Sequence, residues 1–199
     1  MHTYHAPQGG LPPQTDLLTG RAVFTTAYAV IPKGVMTDIV TSNLPFWDHA
    51  RAWVLARPLS GFAETFSQYI MEIAPGGGSA RPDTDSTAQG VIFVVVGGFT
   101  LSIAGADHIL RPGSYAYLPA GCDWQVRNDS GAPATFHWLR KTYSAVDGIA
   151  APAAFVTHED AALTVAMPET GGVWATTRFV DPADMRHDMH VNIVTLQPG

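Results

Sequence analysis

Short runs of β-branched and aromatic residues alternate with clusters of Gly, Pro, Asp and Ser along most of the chain. The runs are AVFTTAYAVI (22–31), FSQYIMEI (66–73), VIFVVV (91–96), FTLSIA (99–104), SYAYLP (114–119) and ATFHWL (134–139). Apolar runs of this length, bounded by turn residues, predict strands, and their close spacing predicts an all-β sandwich or barrel. No long stretch sustains a 3.6-residue period. The one helical expectation is a short turn near FWDHARAW (46–53). Residues 1–20, rich in Pro, Gly and Thr, read as an N-terminal arm.

Pro152 to Gly172 is rich in Ala and turn residues and reads as a link between two units. Beyond it the chain starts again. FSQYIMEIAPG (66–76) can be set against MHVNIVTLQPG (189–199), where Ile, Pro and Gly coincide and three further positions stay apolar. Either this is the common ending of a strand in Pro-Gly, or it is a tandem repeat cut at the start of its second copy. On the second reading, residues 21–148 form a barrel with its preceding strands, and 149–199 form a linker and the first strands of a truncated second barrel. The final strand, His190 to Leu196, would then lack barrel partners, an edge that promotes aggregation or swapping. The alternatives are pairing with the first barrel or poor order.

Composition narrows the partners. Hydrophobic residues make up 46% of the 199, enough for a sizeable core, and only 14% are charged, against about 25% in an average soluble domain. So sparse a charged surface predicts that part of it is covered in a homo-oligomer. The net charge is −6 with no basic run, which argues against nucleic acid and against a membrane surface. The lone cysteine, Cys122, makes no internal disulfide, the N-terminal stretch has no apolar signal core, and the longest apolar run is six residues. A cytoplasmic location is the expectation.

The chemistry-bearing motifs come next. In GSYAYLPAGCDWQVRN, residues Gly113, Pro119, Gly121 and Asn128 have the spacing of the second motif of the cupin superfamily. GGGSARPDTDSTAQGVIFVVVG (76–97) occupies the place of the first. The resemblance implies a cupin, a double-stranded β-helix or jelly-roll barrel. In metal-binding cupins the first motif supplies His-x-His and an acid, and the second a further histidine. Here the two histidine positions fall on Asp83 and Asp85, the acid on Gly90, and the second-motif histidine on Trp124. Glycine offers no ligand atom and the indole N–H only donates. The two aspartates lack a recurrent calcium pattern and read as turn-forming, solvated residues. The resemblance therefore implies no metal and no catalytic residue in this barrel, with Trp124 filling the space. Gln89 and Trp124, with Tyr69 or Tyr117, remain as lining of a vestigial pocket.

The other candidates are weaker. His2 and His5 lie in the arm; His49, His108 and His158 are isolated; His137 sits in an apolar strand as a hydrogen-bonded core or edge histidine. His187 and His190, three apart on a strand, face opposite sides and make a poor metal pair. The GGG at 76–78 is not followed by a helix with Lys-Ser/Thr, so it is not a phosphate loop.

The run DLLTGRAVFTTAYAVIPKGVMTDIVTSNLP (16–45), YIMEIAPGGG, the GSYAYLPAG block and RKTYSAVDG (140–148) resemble the N-terminal part of the (S)-ureidoglycine aminohydrolase family. That resemblance implies a bicupin whose C-terminal barrel holds a manganese ion and the ureide substrate. The enzyme hydrolyses (S)-ureidoglycine to ureidoglycolate and ammonia in purine and allantoin catabolism. It places the catalytic residues beyond Gly199, so the chain alone is expected to be inactive and free of manganese. A second reading is a metal-free cupin that binds or senses a small polar metabolite. A third, an isomerase or oxygenase, lacks the ligands and an acid/base pair.

Overall fold

The computed structural model describes residues 22–25, 27–32, 42–58 and 65–198. The N-terminal arm, and with it His2 and His5, lies outside them. Among the described residues there is no α-helix, only one 3-10 turn, Glu159–Ala161. None of their helices is long and apolar enough to cross a membrane.

Nine strands form one curled sheet. They are β3 (Asp48–Ala56), β4 (Phe66–Ser79), β5 (Ala88–Val96), β6 (Phe99–Ile103), β7 (Ala106–Leu110), β8 (Ser114–Leu118), β9 (Trp124–Arg127), β10 (Ala134–Thr142) and β11 (Phe155–His158). Their order is β11-β8-β5-β10-β4-β9-β6-β7, with β3 also paired to β4. Every pairing is antiparallel. This is the all-β barrel that the runs of apolar residues predict.

Alternation along the strands puts one set of side chains inside. Met71 and Ile73, Ile92 and Val94, Leu101 and Ile103, Val126, and Phe136 and Trp138 meet in one buried cluster. The other set of β5 and β8 is buried too. Val91, Tyr115 and Tyr117 pack under Phe155, Phe179, Met189 and Val191. Hence every residue of β8 is buried, and its sequence shows no polar side.

Two expectations are corrected. AVFTTAYAVI is not one strand but a hairpin, β1 (Val23–Phe24) against β2 (Ala29–Val30). The Thr25 hydroxyl accepts from the amides of Ala27 and Tyr28 and turns the chain there. FWDHARAW is not helical. It enters β3, where the register slips between Asp48 and Ala50 and His49 has a left-handed φ of 47°. The bulge breaks the period-2 pattern, which hides the strand from a sequence reading.

Residues beyond the barrel form a second sheet, β12 (Leu163–Ala166), β13 (Trp174–Arg178) and β14 (Asn192–Leu196). The final strand thus has a partner, β13, and does not join the first barrel. Asp83 is also not simply solvated, its side chain being only 14% exposed.

Candidate functional site

The second motif builds the mouth of the barrel. Gly113 (φ 87°) and Gly121 (φ 71°) occupy left-handed backbone that a side chain would strain. Between them β8 runs inward, and the Cys122 amide donates to Pro119 O at 3.1 Å to close the turn into β9. Asn128, fully buried, ends the motif. Its Nδ2 donates to Ile73 O at 3.0 Å and Ala132 O at 2.9 Å, while its Oδ1 accepts from the Ser130 amide at 3.0 Å. The motif asparagine is thus a clamp between β4 and the 128–132 turn.

All four positions where a metal cupin carries its ligands line one cavity of about 150 Å³: Asp83, Asp85, Gly90 and Trp124, joined by Cys122 and Trp138. The spacing argument therefore locates a real concavity. What it could not locate is the cation already there. Arg140 donates to Asp83 through Nε at 2.9 Å and Nη2 at 2.8 Å. Its Nη2 also lies 3.6 Å from Asp85, and the guanidinium stands over the Trp138 ring at 5.7 Å. Asp83 and Asp85 do form turns, with Asp85 N donating to Asp83 at 3.0 Å and Thr87 N to Asp85 at 3.0 Å. But Asp83 is only 14% exposed and is held by Arg140, so the solvated-aspartate reading is corrected for it. The Thr87 hydroxyl and amide, with Arg140 behind them, hold the Asp85 carboxyl below the ordinary aspartate value.

Trp124 is buried and meets Trp138 edge-on, ring centroids 5.8 Å apart. Trp47 closes the aromatic group. Its ring lies 5.8 Å from Trp138, and its Nε1 donates to Pro82 O at 3.1 Å. Burial first and Asp123 second push the Cys122 thiol above its ordinary value, which works against a thiolate nucleophile.

Gln89 lies elsewhere. Residue 90 faces the barrel, so residue 89 faces out. There Gln89 accepts from Tyr117 Oη at 2.9 Å and donates to the Asp188 carboxylate. The Asp188 carboxylate also takes Lys141 Nζ at 2.6 Å and the Ser144 amide at 2.8 Å. The pocket pair named from the sequence is thereby split: Trp124 is in the cavity, and Gln89 is part of a polar clasp on the opposite face. Tyr69 packs against Trp138 with the rings tilted by 36° and their centroids 5.4 Å apart, and Tyr117 belongs to the clasp.

Of the histidines, His137 lies 3.4 Å from Gln68 Nε2, and burial lowers its pKa. His158 caps the 3-10 turn. His187 and His190 lie outside regular strands, and their rings come within 6.5 Å. Among the described residues no group of His, Cys, Asp and Glu is arranged to hold a metal ion.

Residues 69–140 match the cupin domain family. A solved Pseudomonas aeruginosa structure, titled "Putative Glyoxylate Induced Protein", is 58% identical and superposes with a TM-score of 0.86 over 100% of this chain and 72% of its own. Residues 69–140 of the chain form a cupin domain. This cupin is also similar to the Escherichia coli protein YlbA, at 21% identity with a TM-score of 0.74 over 91% of the chain and 69% of YlbA. That likeness speaks to fold alone. A rice (Oryza sativa subsp. japonica) protein named "Probable (S)-ureidoglycine aminohydrolase" is 30% identical over 180 residues, 90% of this cupin. The cupin spans only 54% of that relative's length.

Proposed function

We propose that this cupin is the metal-free barrel of a ureidoglycine aminohydrolase, a scaffold half whose chemistry is done in a second, manganese-bearing cupin. The observation that carries this reading is the 30% identity to the rice protein over 90% of the chain. The resemblance seen in YIMEIAPGGG and RKTYSAVDG supports it.

The barrel's own residues do not fit a manganese ion. Gly90 has no side chain, the Trp124 indole can only donate, and Asp83 is committed to Arg140. No step of ureide hydrolysis is therefore assigned to this cavity. The role proposed for it is structural: a rigid, aromatic-filled barrel against which a catalytic unit is positioned.

The test is a chimera in which this chain replaces the matching segment of the rice protein, assayed for ammonia release from (S)-ureidoglycine with manganese. The chimera is expected to be active, and residues 1–199 alone to release no ammonia. A folded chimera without activity, or hydrolysis by the 199-residue chain alone, overturns the reading.

A further inference from the structure

The geometry points to the barrel cavity as a binding site for a small, flat, uncharged amide. This does not rest on the aminohydrolase reading, because no catalytic half is needed for it.

Four features specify the ligand. The cavity, partly open to solvent, holds about 150 Å³, and a volume of roughly that size accommodates a benzene-sized molecule. Two indoles, Trp124 and Trp138, set at 73° to each other, line it, so a planar ligand that lies against one ring meets the other edge-on. Trp138 Nε1 is buried and has no hydrogen-bond partner. It lies 3.2 Å from where the first carbon of a side chain on Gly90 would stand, and Gly90 lines the cavity. A buried N–H without an acceptor is costly and calls for one; a carbonyl oxygen entering over Gly90 would supply it.

Charge settles the rest. Arg81, Asp83 and Asp85 line the cavity, and Arg140 pairs with the two acids. Two carboxylates against two guanidiniums leave no net charge, so a charged ligand would lose its hydration without a counter-ion. Asp85 is the exposed member, its side chain 46% accessible, with Oδ2 no closer than 3.6 Å to Arg140. It can therefore accept an N–H. A carbonyl acceptor beside an N–H donor in one plane is an amide.

The probes are 2-pyrrolidinone and acetamide, with acetate and methylammonium as charged controls. The readout is the indole N–H signals of the five tryptophans in nitrogen–proton NMR spectra, with Trp138→Phe assigning the Trp138 signal. The Trp138 signal is expected to shift saturably with both amides, half-maximally at about 1–10 mM for 2-pyrrolidinone, and not with either ion. Gly90→Ala, which puts a methyl beside Nε1, should abolish the response. Asp85→Asn, at a half-exposed position that leaves the core intact, should weaken it about tenfold. A linear drift without saturation, an equal response to acetate or methylammonium, or saturation unchanged in Asp85→Asn overturns the proposal.

Discussion

Arg140 grips Asp83 from two nitrogens, at 2.9 and 2.8 Å, on the lining of the barrel cavity. The cation of this barrel is thus covalently part of the chain. Both partners are mostly buried, 24% and 14% exposed, so removing one leaves the other poorly solvated. Arg140→Met should lower the unfolding free energy by about 1–3 kcal/mol, less than a fully buried pair because of the residual exposure. Urea denaturation checks it. A loss smaller than about 0.5 kcal/mol would show that the pair is screened like a surface bridge.

Asn128 is the second-motif residue most open to test. It satisfies Ile73 O in the buried interior and pins the 128–132 turn. Asn128→Ala strands that carbonyl and should cost about 2–4 kcal/mol. Asn128→Asp should be as damaging at neutral pH, since a carboxylate cannot donate to two carbonyls. Thermal melts of both variants, side by side, provide the measurement; an Asp variant as stable as wild type would disprove the clamp.

Acid should loosen the molecule before the carboxylates titrate. Burial is the main cause lowering the pKa of His137 and of His187. For His187, Asp184 opposes the shift, while His190 and Arg186 reinforce it. The unfolded chain therefore takes up protons below about pH 6.5 that the folded chain refuses. Stability is full above that pH and falls as pH drops toward the folded values, by at most about 1.4 kcal/mol per pH unit for each histidine. His187→Gln should flatten the dependence between about pH 5 and 7. An unchanged slope in the variant would remove His187 from the account.

Phe179 lies flat on Tyr115, centroids 4.2 Å apart and planes 11° from parallel. With the Asp188 clasp it holds the 179–191 stretch on the outer face of β5 and β8. Phe179→Ala should cost about 1–3 kcal/mol and expose that stretch. Limited proteolysis should then cut between 179 and 191 earlier than in the wild type, with the barrel resistant in both.

The sequence is legible where one rule acts at a time. Gly113, Pro119, Gly121 and Asn128 gave the barrel and the position of its mouth, because each has a backbone or hydrogen-bonding duty no other residue type performs as well. The spacing also brought Asp83, Asp85, Gly90 and Trp124 together. Arg140 could not be read, because its partner is 57 residues away and nothing local marks a guanidinium as inward-facing. Gln89 was misplaced next to Trp124 for a simpler reason. Its outward face is as buried as the inner one, so alternation gave no polar side to identify. The bulge at His49 hid β3, and short strands such as β9 and β11 lacked the length to show a period.

Phe155 to His158 pair along four of the five residues of β8, from Tyr117 to Ser114, although an exposed loop, 144–148, lies between them and β10. A nick in that loop would leave two pieces held together by that seam, by the Asp188 clasp and by the Phe179–Tyr115 stack. If the pieces parted, the bare rim of β8 could accept the same four residues from a neighbouring molecule, exchanging strands between barrels without altering a single contact.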